Sequence, residues 1–259
     1  MKKLTILAAG LLLLVPSLAF SDSFSLRLGY FMPRALSNSY LTDHPDSLWT
    51  IELDQMSFDR QDYRGGMMGF SYDRFLGPNM SLALTVDFYN RTRTGFYNDW
   101  VVNSLEEGDF AFPYELYLGD DIIHSYRVHI TPLQLSLKFL PLGRRTKLIP
   151  FIGGGASLTF WGVKMFGEQV NFADPWIYTD PELGDIDIYP VEPLNGRESN
   201  IAFGWHAFGG LQFPIGYRAT IEAEARYHGA KGRFNDLFVG FDDFELSGLA
   251  LTLGLSYWF

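Results

Sequence analysis

Ionisable side chains recur at every second position in several segments of this chain. In the stretch 217–228, Glu222, Glu224, Arg226 and His228 alternate with small or apolar residues. Residues two apart in a β-strand lie on the same face of a sheet, so these four groups would share one face. Acidic and basic groups gathered in this way could neutralise each other, or they could line a path for a small solute or a proton.

The same alternation in other segments predicts a larger set of inward-facing ionisable residues. They are Arg27, Asp73, Asp87, Arg127, His129, Lys138, His206, Glu222, Glu224, Arg226 and His228. A buried charge without a partner destabilises a folded protein strongly, so these groups should pair. We therefore expect these groups to form a polar plug, and a path for a small solute is the alternative. The residues expected in the plug are Arg27, Asp87, Lys138, Glu222, Glu224 and Arg226.

The sequence contains no recognisable catalytic or metal-binding motif. Its five histidines lack the spacing of metal ligands, and Gly-x-Ser-x-Gly is absent. His124 and Ser125 are adjacent, but adjacent residues of a strand face opposite sides. We therefore predict no catalytic residues, no metal site and no cofactor.

The segment 162–198 is rich in both acidic and aromatic residues. Within it, Asp180, Glu182, Asp185 and Asp187 offer oxygen ligands that would suit divalent cations such as calcium or magnesium. Their spacing does not match an EF-hand, and a solvated acidic loop would contain the same residues. Disordered loops are usually poor in aromatic residues, so we expect this segment to fold, either as a lid or as a recognition surface.

The elements that position these residues are predicted to be strands, because apolar residues also recur with a period of two. Eight segments follow this pattern, and their ranges are 24–32, 65–74, 80–89, 123–139, 148–161, 200–213, 217–228 and 249–259. The connections between them are alternately long and short. In the fourth segment the apolar positions change from even to odd numbers at Thr131 and Pro132, which predicts a β-bulge.

The first residues have the features of a secretory signal peptide. Lys2 and Lys3 precede an apolar run, followed by Pro16 and small residues. We predict a signal peptide over 1–19, with cleavage after Ser21 as the alternative, and one barrel domain over 20–259. The chain has no cysteine, so disulfides cannot stabilise it, and its formal net charge of −10 argues against nucleic acid as a partner.

Apolar residues occupy one complete face of nearly every predicted strand. So large an apolar surface would be unfavourable in water, as in a lipocalin-like barrel, but it suits lipid. For the last segment alone, the edge strand of a soluble sandwich is the alternative. We predict an all-β fold, an eight-stranded antiparallel up-and-down transmembrane β-barrel with long outer loops and short periplasmic turns.

Two motifs give the chain a resemblance to a known family. Thr252, Gly254, Tyr257 and Phe259 match the C-terminal assembly signal of bacterial outer-membrane barrels, and Pro150–Gly155 reads Pro-Phe-Ile-Gly-Gly-Gly. With these motifs the chain resembles the small outer-membrane β-barrels of the OmpA-barrel and OmpW-like group. The resemblance implies location in the cell outer membrane. It also implies contact with outer-membrane lipid, lipopolysaccharide and the barrel-assembly machinery.

The resemblance specifies architecture better than function. Members of the group include structural proteins, adhesins, receptors, narrow channels and a few lipid-modifying enzymes. We predict a non-enzymatic protein that has an envelope structural role or a surface-recognition role through its outer loops. A narrow channel for small or apolar solutes is the alternative, and a lipid-modifying enzyme is a third possibility.

Overall fold

The computed structural model describes residues 22–97, 109–110, 122–171, 176–181, 184–188 and 190–259. The predicted signal peptide therefore lies outside the described residues. Within those ranges, no helix has the length and apolar character needed to cross a membrane.

Eight long strands close into an antiparallel barrel. They are β1 (Asp22–Pro33), β2 (Gly65–Phe75), β3 (Met80–Phe96), β4 (Ile123–Phe139), β5 (Ile149–Val170), β6 (Val191–Pro214), β7 (Ala219–Gly232) and β8 (Gly248–Trp258). Each strand pairs with its sequence neighbours, and β8 pairs with β1 to complete the ring. Asp22 and Phe259 exchange two backbone hydrogen bonds of 3.2 and 3.0 Å at this seam. The predicted fold is confirmed.

The connections differ in length at the two ends of the barrel, as predicted. The short turns span 76–79, 140–148 and 215–218, and the long connections span 34–64, 97–122, 171–190 and 233–247. We call these the turn end and the loop end.

The described parts of the long connections contain secondary structure of their own. The first holds helices α1 (Asn38–Asp43) and α2 (Leu48–Gln55) and the 3-10 turns Arg34–Leu36 and Arg60–Tyr63. Ser37 and Ser47 cap the two helices, because their hydroxyls accept hydrogen bonds from the third residue beyond them. Short strands at Asp109–Phe110, Trp176–Asp180 and Gly184–Ile188 form a small sheet, and Phe244–Glu245 pairs with β7.

Several strands extend well beyond their predicted ends. β5 has 22 residues and β6 has 24, whereas a strand needs only about 9–11 residues to cross a membrane. Both extensions lie at the loop end. One side of the barrel therefore continues beyond the membrane as a raised wall.

In the half of the barrel nearer the turns, side-chain directions match the alternation read from the sequence. On β1, Phe24, Leu26 and Leu28 face outward and are exposed, while Ser25 and Arg27 are buried inside. The other strands repeat this arrangement. The outward residues form an apolar belt, and the last side chains of this belt on β3, β5 and β6 are Phe88, Phe160 and Ile201.

The predicted β-bulge in β4 is wrong. The pairing of β4 with β3 and with β5 keeps one register on both sides of Thr131 and Pro132, with no extra residue. Tyr126, Val128 and Ile130 point into the barrel and are fully buried.

The cause of the apparent phase change is a change of solvent along the strand. Near the turns, the outer face of β4 meets lipid, so apolar residues such as Leu135 face outward. Near the loops, the outer face meets water, so the apolar residues face inward and Arg127 faces outward. The polarity of the two faces is exchanged, while the direction of each side chain keeps its period of two.

This arrangement predicts that substitutions at two neighbouring positions change the free energy of unfolding by very different amounts. Val128→Asp would bury a carboxylate among apolar groups and should lower the free energy of unfolding by about 3 kcal/mol or more. His129→Asp, on the outward face, should change it by less than about 1 kcal/mol. Urea unfolding of detergent-refolded protein measures both. A larger loss for His129→Asp would contradict the continuous register.

Candidate functional site

The centre of the lumen contains a carboxylate held between two guanidinium groups. Glu224 Oε1 accepts hydrogen bonds of 2.8 Å from Arg27 Nη2 and from Arg226 Nε. Arg27 also donates to Thr252 Oγ1 at 3.2 Å, and its Nε lies 3.6 Å from Asp87 Oδ1. Two positive and two negative charges therefore balance in this network.

A second network lies closer to the turn end. Lys138 Nζ donates to Glu222 Oε2 at 3.0 Å and to Asp73 Oδ2 at 3.3 Å, and it lies 4.1 Å from the centroid of the Phe151 ring. Gln212 Nε2 donates to the same oxygen of Glu222 at 2.6 Å. Two carboxylates thus share one ammonium group.

The structure brings together all six residues of the predicted polar plug. Each is at most 5 % exposed, and Asp73 joins them. The sequence did not identify two amide partners. Gln134 accepts a hydrogen bond from Arg226, and Gln212 binds Glu222. Both amides occupy inward positions of the alternation, which is the signal that could have found them.

Arg127 and His129 were predicted to face the lumen, and this prediction is wrong. Both lie on the outward face of β4, in the part where apolar residues have moved inside. The assignment followed from the supposed bulge, and it fails with it.

Two histidines of the lumen are hydrogen-bonded to hydroxyl groups from other strands. His206 Nε2 lies 2.7 Å from Ser136 Oγ, and His228 Nε2 lies 3.1 Å from Thr159 Oγ1. A Ser–His contact is also the geometry of an activated nucleophile. Here both imidazole rings are buried in the lumen, where a substrate would have no access.

Aromatic residues fill the lumen at the loop end. The Phe244 ring lies between Trp49 of α2 and Trp161 of β5, with centroids 5.2 and 5.4 Å away. Tyr63 and Tyr126 contact Trp49 edge-on. We call these five residues the aromatic cap, since they cover the polar plug.

Two buried carboxylates attach the loops to the barrel wall. Glu52 of α2 contacts His124 of β4 at 2.7 Å. Glu198 of β6 accepts hydrogen bonds from the backbone N–H groups of Asn235, Asp236 and Phe238. Sequence reasoning missed both, because nothing in the local pattern connects a loop residue with a strand more than thirty residues away.

Little open space remains where the polar plug meets the aromatic cap. A cavity of about 20 Å³ lies there, lined by residues that include Asp87, Tyr89 and Arg226. This volume accommodates about one water molecule. At the turn end, Phe75, Leu140, Ile149, Phe151 and Phe208 form an apolar floor against which Trp258 packs.

The residues of the predicted assembly signal occupy different environments. Thr252 is buried in the lumen, and Gly254 lies opposite both Arg27 and Glu222. Tyr257 and Phe259 are exposed on the outward side at the turn end. Recognition of these residues during assembly stays a prediction.

The predicted cation ligands are only partly described. Glu182 lies outside the described residues, as do the side chains of Asp180 and Asp187. Asp185 accepts a hydrogen bond of 2.7 Å from Thr179. The part of the chain that is described contains no group of three or more residues arranged to hold a metal ion.

Comparison with known proteins finds similarities to solved structures only at low sequence identity. No family model and no curated protein matches the chain. Among solved structures, OprG from Pseudomonas aeruginosa is 10% identical with a TM-score of 0.47, covering 93% of this chain and 96% of that one. Ail from Yersinia pestis, in complex with the heparin analogue sucrose octasulfate, is 11% identical with a TM-score of 0.42, covering 93% and 100%.

A third solved structure is outer membrane protein W of E. coli, 11% identical with a TM-score of 0.38, again covering 93% and 100%. All three are small outer-membrane barrels. The eight-stranded closed barrel expected from the sequence is shown by the strand pairing of the structure itself.

The plug geometry predicts unequal effects for two carboxylate replacements. Glu224→Gln leaves Arg27 and Arg226 with one carboxylate between them and should lower the free energy of unfolding by about 3–5 kcal/mol. Asp73→Asn is the matched control, because Lys138 keeps Glu222 as its partner, and it should cost less than about 1 kcal/mol. Urea titration followed by tryptophan fluorescence measures both values, and equal effects would contradict the two networks.

Proposed function

We propose that this protein is a non-enzymatic outer-membrane β-barrel that presents its outer loops as a recognition surface. The observation that carries the proposal is the filling of the lumen by the apolar floor, the polar plug and the aromatic cap. A barrel filled in this way has no room in its interior for a solute path or for a substrate. Its function then resides on its surface.

The organisation of the loops supports a recognition role. The first and last long connections are packed against the barrel wall through Glu52 and Glu198, so their outer surfaces have defined positions. Large apolar side chains are nevertheless exposed on the last connection, and they are Leu237, Val239 and Phe241. The third connection also exposes Trp176, Ile177 and Tyr178. Exposed apolar and aromatic groups on loops are typical of protein-binding surfaces.

Membrane location and orientation can be tested by labelling, because the chain contains no cysteine. Leu237→Cys lies in an outer loop and Leu142→Cys in a turn, and both parent side chains are more than half exposed. A membrane-impermeant maleimide added to intact cells should label the first variant only, and lysed cells should label both. Labelling of Leu142→Cys in intact cells would contradict the orientation.

Conductance separates the recognition role from the channel alternative. Refolded protein in a planar bilayer should show no stable unit steps, because the lumen is filled with paired side chains. Folding should be verified on the same sample by gel electrophoresis, in which the unheated, folded barrel migrates differently from the heated protein. Reproducible unit steps from folded protein would support a narrow channel instead.

A further inference from the structure

Three basic residues form a row on the outward face of the barrel. Arg127 of β4 lies opposite Lys164 of β5, and Lys164 lies opposite Arg197 of β6. All three have outward positions. Neighbouring strands are about 4.8 Å apart, so the row places three positive charges within a width of about 10 Å. We call these residues the basic row.

Within the described residues, no ion pair joins the basic row to an acidic side chain. Arg127 Nε donates instead to Thr92 Oγ1 at 2.7 Å, and Lys164 Nζ lies 4.8 Å from the centroid of the Phe166 ring. Like charges opposite each other destabilise a sheet. An acidic chain of net charge −10 thus keeps three like charges side by side at this place.

The position of the basic row relates it to the edge of the apolar belt. Phe160 and Ile201, the last belt residues of β5 and β6, lie opposite each other, and the basic row follows four residues further along. Four residues span about 13 Å of strand, or roughly 10 Å of height for the usual tilt. Polar headgroups occupy about 5–8 Å on each side of the hydrocarbon layer. The row therefore lies at the outer boundary of the headgroups.

The next strand extends this positive surface. Lys231, near the end of β7, and Arg233 directly after it are exposed and have outward positions. The backbone carbonyl of Arg233 accepts a hydrogen bond of 3.3 Å from Asn200 Nδ2, which places it beside β6. The cations thus continue around one side of the barrel.

We propose that the basic row binds the phosphate groups of lipopolysaccharide in the outer leaflet. Guanidinium and ammonium groups bind phosphate through charge-assisted hydrogen bonds, and a bound phosphate would remove the repulsion within the row. The long side chains can also bend toward the membrane to reach lipid phosphates. The loop end faces the outer leaflet, which favours lipopolysaccharide over ordinary phospholipid. This inference rests on the proposed outer-membrane location.

The test compares two triple variants of the full chain, refolded in detergent. One replaces the basic row, as Arg127→Gln, Lys164→Gln and Arg197→Gln. The matched control removes three exposed basic residues elsewhere, as Arg60→Gln, Arg145→Gln and Lys147→Gln. Titration with lipopolysaccharide should show at least tenfold weaker binding by the first variant and less than a twofold change in the control. Equal binding by both variants and the wild type would overturn the proposal.

Two further ligands identify the chemical source. Phosphatase-treated lipopolysaccharide should bind the wild type as weakly as intact lipopolysaccharide binds the basic-row variant. Phosphatidylglycerol should compete poorly. Effective competition by phosphatidylglycerol would overturn the assignment to lipopolysaccharide, and undiminished binding of the phosphatase-treated form would overturn the role of phosphate.

Unfolding without lipid separates binding from structural support. The basic-row variant should unfold at the same temperature as the wild type or at a higher one, because repulsion has been removed. A lower unfolding temperature would indicate that the row supports the fold itself, contrary to the proposal. Surface labelling of Leu237→Cys tests the location independently, so failure of lipid binding and failure of the proposed location give different results.

Discussion

Closure of eight strands into a ring fixes the width of the interior, and the arrangement of the other residues depends on that width. An eight-stranded barrel is only just wide enough for side chains to fill. Inward residues therefore contact residues from several strands, as Glu224 of β7 contacts Arg27 of β1. Where inward side chains are crowded, a neighbouring position on the wall must also lack a side chain. A Cβ atom on Gly69 would come within 2.1 Å of Asp87 Oδ1, so the glycine makes room for a member of the polar plug.

The outer face of the barrel contacts lipid near the turns and water near the loops. In the sequence, this change appears as an exchange of apolar and polar residues between the inward and outward faces of a strand. The alternation was sufficient to predict the number of strands, the closed fold and the inward direction of the six side chains assigned to the plug, because each depends only on which side a residue faces. It was insufficient for β4. An exchange of polarity and an inserted residue give the same pattern of apolar positions, so Val128 and Arg127 were assigned to the wrong faces. The uninterrupted pairing of β4 with β3 and with β5 distinguishes the two explanations.

The sequence predicted that the long connections fold, but it did not predict which residues they contact. Aromatic content indicated that the long connections fold, and they do where they are described. The stack of Trp49, Phe244 and Trp161 joins residues from two connections and one strand, and the contact of Glu52 with His124 spans 72 positions. Contacts of this kind depend on distances set by the closed barrel. No periodic pattern in the chain encodes them, so they could be found only in the assembled structure.

In the orientation proposed above, the raised wall formed by β5 and β6 also determines how far the protein reaches from the cell. From Phe160 to Val170 the strand continues for about 33 Å, which is roughly 25 Å of height at the usual tilt. A sugar layer that hides shorter loops from antibodies and other large molecules would hide this hairpin less. The exposed Trp176 and Tyr178 beyond it would then be accessible to molecules too large to penetrate the sugars, such as those on the surface of another cell.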